Sequence, residues 1–292
     1  MNVSIGINPI TWSNDDMQNV GADISFQTCL AEASGAGFAG VELGHKFPRD
    51  PNVLRPELEK YSLSLVSGWY SGRLLQRGSN EEIAAMQDHL RLLKAMGSDV
   101  LIFAEVSGCI HSKIDTRLSQ RPRIPADQWS TFCQRLDEVA KACAANGLKL
   151  CFHHHMGTVV QSHEDIDLMM QSTSRDMHLL LDSGHAYFAG ADPVELAKQY
   201  ADRIGHVHCK DIRENVLKRL QNRDSSFLEA VLAGVYTVPG DGCIDYDGIF
   251  DALREQDYDG WVVVEAEQDP SVAPPSYFSK LGFDNLKRLT DQ

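Results

Sequence analysis

Short apolar runs alternate with longer stretches of helical periodicity from one end of the chain to the other. A run of about five apolar residues is typical of a strand buried on both faces, and apolar positions three and four apart are typical of a half-buried helix. On this basis we predict eight strands: Val3–Ile7, Phe38–Leu43, Ser62–Ser67, Asp99–Ala104, Leu148–His153, His178–Asp182, Arg203–His208 and Trp261–Glu265.

Helical periodicity follows each predicted strand, and capping residues mark several helix ends. Asn80 is suited to cap the helix that runs to Met96, and Gly97 is suited to end it. A long irregular insert, Ile212–Asp241, separates the seventh strand from its helix. The other predicted helices are Ser25–Ser34, Pro51–Tyr61, Asp127–Ala145, Ser162–Met170, Asp192–Tyr200, Tyr246–Gln256 and Pro275–Leu289.

Eight strand–helix units without a break in composition predict one (β/α)8 TIM-barrel domain over residues 1–292. A doubly wound open sheet is the alternative, and it normally carries a glycine-rich phosphate loop after its first strand. Here the first strand is followed by Asn8–Pro9–Ile10–Thr11–Trp12, which has no such glycines. The barrel is therefore favoured.

The excess of acidic residues bears on which classes of binding partner we expect. Lys and Arg number 27 and Asp and Glu number 41, so the formal net charge is −14. Nucleic acids and anionic membranes attract basic proteins, so we expect neither as a partner. The first residues lack the basic and apolar segments of a signal peptide, and no run reaches the ~20 apolar residues of a membrane span. Seven cysteines without a CxxC pair predict free thiols and a cytoplasmic protein.

Metal-ligating residue types stand at the ends of four successive strands. His153, Asp182, His208 and Glu265 end strands five to eight, and the chemistry of a TIM barrel lies at the carboxyl ends of its strands. Charged groups at a buried barrel end repel one another and are costly to desolvate unless a cation compensates them. Mixed nitrogen and oxygen ligands suit Mn²⁺, Co²⁺, Fe²⁺ or Zn²⁺ better than Ca²⁺. These four residues predict a metal site.

Other polar and aromatic residues share this rim. We predict catalytic roles for His155, Lys210 and Glu105, and substrate binding by Trp12, Glu42, Trp69, His185 and Glu267. Glu42 and Glu105 are equally compatible with structural rim carboxylates, and the tryptophans with rim packing. His154 points to the opposite face from its neighbours and His206 lies one layer deeper, so structural roles are favoured for both. The insert is compatible with a lid or with a contact segment.

Three segments at the strand ends resemble the xylose isomerase-like TIM-barrel superfamily of sugar epimerases, isomerases and dehydratases. They are Asp182–Ser183–Gly184–His185, His206–Val207–His208–Cys209–Lys210–Asp211 and Gly260–Trp261–Val262–Val263–Val264–Glu265, and Pro239–Tyr246 adds to the likeness. Within the superfamily the chain most resembles the inosose dehydratases. That likeness rests on Gly6–Trp12, on Ser67–Gly72 and, most specifically, on His153–His154–His155–Met156–Gly157–Thr158.

The resemblance implies a divalent metal held by Glu, Asp, His and Glu from strands five to eight. Asp182, His208 and Glu265 match that pattern, whereas His153 replaces the first glutamate, which in the epimerases belongs to the acid/base pair. The implied reaction is dehydration of a keto-inositol (inosose) to a trihydroxycyclohexane-dione with Mn²⁺ or Co²⁺. Glutathione is implied as a further cofactor, a cyclic polyol ketone as the substrate, and a homo-oligomer is compatible with this class of barrel.

Two other functions stay open at this point. A metal-dependent sugar epimerase or isomerase on the same fold would exchange a proton without loss of water. A sugar-binding barrel without catalytic activity would keep the rim residues but turn nothing over.

Overall fold

The computed structural model describes residues 1–291 and contains a barrel of eight parallel strands, so the predicted TIM barrel is confirmed. Each strand pairs with its sequence neighbours, and the first strand also pairs with the eighth. The strands are Asn2–Ile7, Gly40–Val41, Ser64–Leu65 continued by Ser67–Gly72, Val100–Glu105, Lys149–His153, Met177–Asp182, Ile204–Cys209 and Asp259–Val264.

The third strand is interrupted at Val66 and runs further than predicted. Ser64–Leu65 pairs with the second strand and Ser67–Gly72 pairs with the fourth, so the two segments complete the ring. We predicted an end at Ser67 because polar residues and glycines follow it. Gly72 is the last residue of this strand. A Cβ there would be only 2.0 Å from the ring of Phe103, so the position requires glycine. The glycine serves packing rather than a turn.

Helices surround the barrel and follow the predicted order, with boundaries shifted by a few residues. The predicted helix that ends at Met96 is two helices that meet at Met86. The helices are Phe26–Ala36, Pro51–Glu59, Ser79–Ala85, Gln87–Met96, Trp129–Ala145, His163–Gln171, Ser183–Phe188, Pro193–Tyr200, Glu214–Gln221, Phe227–Leu232, Tyr246–Glu255 and Pro275–Thr290. Between residues 1 and 291 no helix combines the length and apolar character that crossing a membrane requires.

The segment after the seventh strand is ordered, so the prediction of an irregular insert is wrong. It contains two helices and a small two-stranded antiparallel sheet, in which Asp211–Ile212 pairs with Tyr236–Thr237. Its second helix begins with a capping box in which Ser226 and Glu229 each accept the other's backbone N–H. The carboxylate of Asp211 accepts backbone N–H bonds from Ile212, Gly240, Gly242 and Ile244, which fixes the far end of the segment.

The barrel interior changes character along its axis. Val100, Ile102, Cys151 and Leu180 form a buried apolar layer against which Trp69 packs. Side chains on a strand alternate faces, so His153 follows Cys151 and Asp182 follows Leu180 into the next layer. The polar cluster therefore lies directly above the apolar layer, at the carboxyl ends of the strands.

Candidate metal centre and cavity

Four predicted ligands meet at the carboxyl end of the barrel. One donor atom from each of His153, Asp182, His208 and Glu265 lies within 4.8 Å of the others, and all four residues are buried. Asp182 Oδ2 lies 3.3 Å from His153 Nε2 and 3.6 Å from His208 Nδ1. His208 Nδ1 also contacts Glu265 Oε2. Strands five to eight thus deliver two imidazoles and two carboxylates to one point.

The chemistry of these donors fits a divalent transition metal. Burial alone would raise the pKa of both carboxyl groups. Nearby positive charge, with Lys210 common to both, instead holds the pKa of Asp182 well below its usual range and lowers that of Glu265 to about 2. Burial lowers the pKa of His153, so its imidazole stays neutral and keeps a lone pair. His208 Nδ1 and Glu265 Oε2 face each other and have no other hydrogen-bond partner among the described residues. Ionised oxygens and free imidazole nitrogens are the ligands such a cation requires.

Glu42 fixes the orientation of His208 from the second strand. Its Oε1 accepts from Ser67 Oγ at 2.6 Å, from His206 Nε2 at 2.9 Å and from His208 Nε2 at 3.0 Å, and its Oε2 accepts from Asn8 Nδ2 at 2.7 Å. Nε2 of His208 donates in this bond, so Nδ1 is the nitrogen that faces Asp182 and Glu265. Although burial opposes it, Glu265 and Glu42 hold the pKa of His208 well above its usual value, so a metal ion at Nδ1 would displace a proton. Burial would raise the pKa of Glu42, but the two histidines hold it well below its usual range.

A second buried cluster lies beside the first and contains its own cation. His155, His185 and Glu267 also place donor atoms within 4.8 Å of one another. Lys210 Nζ lies 3.1 Å from His185 Nε2, 3.4 Å from Glu267 Oε2 and 2.8 Å from Glu265 Oε1. These carboxylates raise the pKa of Lys210 above its usual value despite burial, so its ammonium stays charged. Lys210 therefore lies between the two clusters and borders the first one through Glu265.

His155 is held in one tautomer. Its Nδ1 lies 2.8 Å from the carbonyl oxygen of Met156, which can only accept, so Nδ1 carries the hydrogen and Nε2 keeps the lone pair. Burial, with His111 and His153 nearby, holds the pKa of His155 well below its usual value, so the ring stays neutral. The rings of Trp69 and Phe227 pack edge-on against it at centroid distances of 5.9 Å and 4.9 Å.

A cavity of about 290 Å³ opens onto these groups. That volume is at the lower end of the range for small-molecule sites, ~300–1,000 Å³. The predicted site residues in its wall are Glu42, Trp69, His153, His155, His208, Glu265 and Glu267. Lys210 and His185 are fully buried and lie behind this wall.

Two predicted residues lie away from the cavity wall. The indole Nε1 of Trp12 donates to Glu32 at 2.6 Å, and the ring is almost fully buried. Glu105 accepts from the backbone N–H of Leu74 at 2.6 Å and of Ser107 at 3.0 Å, so both its oxygens hold neighbouring loops. His154 accepts from the Asp182 N–H at 3.4 Å, a backbone contact on the face opposite His153.

Several polar residues of the cavity region were not predicted from the sequence, among them Asp16, His111 and Asn14. Asp16 and His111 line the cavity, and Asn14 donates through Nδ2 to Glu267 Oε1 at 3.0 Å. All three lie on loops after the first and fourth strands, where no strand periodicity indicates which way a side chain points. The only signal is the polar run Ser13–Asn14–Asp15–Asp16 directly after a predicted strand end.

The family of this chain is known. A family model described as a xylose isomerase-like TIM barrel matches residues 30–287, and the chain belongs to this family. The resemblance drawn from the strand-end segments is thereby confirmed.

Full-length relatives narrow the comparison. The chain is 45% identical over 289 residues to the rhizopine catabolism protein MocC of Rhizobium meliloti, covering 99% of this chain and 89% of that protein. It is 41% identical to the inosose dehydratase of Clostridium tetani, covering 94% and 92% of the two chains. It is 40% identical to the inosose dehydratase of Histophilus somni, covering 99% and 98%.

Solved structures share the fold at low identity. An IOLI protein with a bound zinc atom superposes with a TM-score of 0.65 at 18% identity, covering 99% of this chain and 96% of that chain. The probable 3-DHS dehydratase AsbF of Bacillus anthracis gives a TM-score of 0.65 at 16% identity, covering 98% and 99%.

Proposed function

We propose that the protein is a metal-dependent hydro-lyase that removes water from 2-keto-myo-inositol (inosose) and yields a trihydroxycyclohexane-1,2-dione. The observation that carries this proposal is the cluster of His153, Asp182, His208 and Glu265, of which all but the fully buried Asp182 line a ligand-sized cavity. The inosose dehydratases at 40–41% identity over almost the whole chain name the reaction, and they confirm the prediction made from the triple-histidine segment.

The reaction removes a proton from the carbon next to the ketone and a hydroxyl group from the carbon beyond it. The electrons of the C–H bond form a C=C bond, the C–O bond breaks, and the hydroxyl leaves with a proton as water. The enol that remains tautomerises to the dione. A divalent cation held by the four ligands supplies Lewis-acid stabilisation of the negative charge that develops on the ketone oxygen.

We assign the general base to His155. A base needs an accessible lone pair, and the bond from its Nδ1 to the Met156 carbonyl oxygen leaves Nε2 free. His155 lines the cavity next to the candidate ligand His153, at a ring-centroid distance of 5.4 Å. A substrate whose ketone lies at the metal centre therefore presents its neighbouring carbon near this imidazole.

We assign the general acid to Glu267, which the sequence indicated as a substrate-binding residue. Burial raises the pKa of its carboxyl to about 7 although Lys210 opposes that shift, so a large fraction carries a proton at neutral pH. The bond from Asn14 fixes its orientation in the cavity wall. Lys210 lies behind Glu265 and Glu267, and its role is to hold both carboxyl groups in place. Glu105 has no part in this mechanism, because both its oxygens are engaged by backbone N–H groups.

A sugar epimerase needs an acid/base group on each face of the carbon that it inverts. The strand-five position that supplies one such glutamate in the epimerases is a metal-facing histidine here. This substitution favours elimination over epimerisation.

Proton NMR with purified, metal-loaded protein and inosose tests the proposal. We expect loss of the ring protons of inosose and appearance of the dione, and we expect EDTA to stop the reaction and Mn²⁺ or Co²⁺ to restore it. Deuterium exchange next to the ketone without loss of water would instead indicate an epimerase or isomerase. Binding of inosose without either change would indicate a sugar-binding barrel.

We further propose Mn²⁺ or Co²⁺ as the native metal, because the donor set mixes imidazole and carboxylate. Glutathione as a second cofactor rests on the family resemblance alone, and an assay with and without it is the test. A cytoplasmic location is supported by the seven free cysteines. A homo-oligomer is a proposal for light scattering to test.

A further inference from the structure

Two loop residues extend the cavity beyond the metal centre. His111 follows the fourth strand and Asp16 follows the first, and both line the cavity that contains His153 and His155. His111 packs against His155 at a ring-centroid distance of 5.0 Å, and His155 packs against His153 at 5.4 Å. The side chains of His153, His111 and Asp16 are 2%, 11% and 24% exposed, so this row leads from the metal centre towards the cavity mouth.

Hydrogen bonds and close packing fix the positions of the two loops that carry His111 and Asp16 relative to the proposed catalytic residues. The backbone N–H of Ile110 donates to the Gly157 carbonyl at 2.9 Å, and a Cβ on Gly157 would be only 3.0 Å from the backbone nitrogen of His111. On the other loop, Asn14 Oδ1 accepts from the N–H of Asp16 at 2.8 Å while its Nδ2 donates to Glu267. One asparagine therefore sets the position of Asp16 relative to the proposed acid.

The side chains of His111 and Asp16 leave hydrogen-bonding capacity open. His111 Nδ1 is buried and has no partner among residues 1–291. His111 Nε2 lies 3.6 Å from Asp16 Oδ1, which is longer than a hydrogen bond. Hydrogen-bonding groups in a cavity wall that have no protein partner are available to a ligand, so His111 Nε2 and the Asp16 carboxylate are the atoms that a bound molecule would pair with.

We propose that Asp16 and His111 are specificity-determining residues that bind hydroxyl groups on the part of the polyol ring farthest from the metal centre. This inference rests on the proposed function and adds to it the residues that distinguish a fully hydroxylated ring from a deoxygenated one. A neutral imidazole both donates and accepts, as a hydroxyl does. Burial lowers the pKa of His111 to about 4, so its imidazole is neutral at pH 7, and it raises that of Asp16 to about 6, so most of this group is a carboxylate that accepts from a hydroxyl.

Steady-state kinetics of Asp16→Ala and His111→Ala with inosose test this inference. Each variant loses a hydroxyl partner that does not touch the reacting carbons, so we expect KM to rise about tenfold or more and kcat to change less than about threefold. Asp16→Asn and His111→Gln keep hydrogen-bonding atoms and are expected to recover part of the loss. Asp23→Ala, in the same loop but outside the cavity, is the matched control. Metal content by mass spectrometry is expected to stay at the wild-type value in all of them.

A second arm uses inosose analogues that lack one hydroxyl on the ring carbons opposite the ketone. The wild type is expected to lose about 100-fold or more in kcat/KM on at least one of them, and the alanine variants much less, since a polar site rejects a ligand that leaves its groups unpaired.

Unchanged KM in both alanine variants, or equal discrimination by variants and wild type, would overturn the inference and leave the proposed function standing. A wild type that releases no water from inosose would overturn both.

Discussion

Two clusters of buried histidines and carboxylates share the end of the barrel, and they differ in the number of donor atoms that converge on one point. The cluster of His155, His185 and Glu267 brings three donor atoms together, and Lys210 Nζ lies 3.1 Å from His185 Nε2 and 3.4 Å from Glu267 Oε2. The cluster of His153, Asp182, His208 and Glu265 brings four donor atoms together, and Lys210 borders it at Glu265 Oε1, 2.8 Å away. Donor types are alike and one ammonium borders both clusters, so we expect the number of converging ligands to separate a metal site from a proton-handling site.

The largest effect is expected from removal of a metal ligand. Asp182→Asn removes a buried charge at the centre of the four-residue cluster, so kcat/KM for inosose is expected to fall roughly 10³-fold or more. Metal content by mass spectrometry should fall with it. Asp176→Asn, an exposed aspartate at the opposite end of the same strand, makes the same charge change and should alter neither quantity. Full metal loading of Asp182→Asn would contradict the assignment of this cluster.

Lys210→Met tests how far the buried carboxylates of Glu265 and Glu267 depend on the ammonium group between them. It leaves Glu265 and Glu267 buried without their shared cation, and breaking a buried ion pair costs about 3–5 kcal/mol of unfolding free energy. Chemical denaturation of the metal-free protein measures this loss. Lys218→Met removes an exposed lysine paired with Glu214 on one helix and should cost no more than about 0.5 kcal/mol. An equally small loss in Lys210→Met would mean that the second cluster does not depend on its lysine.

Glu42→Gln tests how the metal cluster is held together. The amide presents one accepting oxygen where the carboxylate presents two, so His208 loses its constraint to one tautomer. Loss of such a partner behind a metal-binding histidine typically weakens metal affinity about 10–100-fold. Competition titration with a fluorescent chelator gives the affinity. Glu82→Gln alters another buried carboxylate, one bound by Arg77 and Tyr70, and should leave metal affinity unchanged. Unchanged affinity in Glu42→Gln would rule out this role.

The smallest effect concerns Asp16, a carboxyl group that has no cation in contact. Burial raises its pKa to about 6 in the folded protein from an ordinary value of 3.8. The folded state therefore holds the proton more tightly, and the stability that this confers is full below pH 4 and lost as the pH rises through 6. Relative to Asp16→Asn, the metal-free wild type should lose roughly 2 kcal/mol between pH 4 and pH 7. Denaturation curves at four pH values measure the difference, and a constant difference would contradict the shift.

The sequence predicts that the four candidate ligands come together, and they do, because strand ends are constrained; their binding of a metal stays a prediction. His153, Asp182, His208 and Glu265 each end a parallel strand, and eight such strands in a closed ring bring their ends together. Lys210 and His185 could not be placed in the same way. Their positions just after a strand end are the same as those of residues that line the cavity. Only the packing of the folded protein determines that these two side chains are buried behind the cavity wall.

Loops and interrupted elements limited the rest of the prediction. Trp12 was expected at the substrate, but its indole turns outward to Glu32, a residue on a helix 20 positions away. Asn14 and His111 lie on loops, where no periodicity fixes the direction of a side chain. The Ser226–Glu229 capping box was a readable helix signal inside the segment predicted to be irregular.

The central claim is that one divalent cation binds where the donor atoms of His153, Asp182, His208 and Glu265 converge. Anomalous diffraction at the manganese edge, from crystals grown with Mn²⁺, locates the ion directly. The account predicts one peak bonded to His153, Asp182, His208 and Glu265, and none among His155, His185 and Glu267. A peak in the cluster that contains Lys210, or no peak at the four ligands, would contradict it.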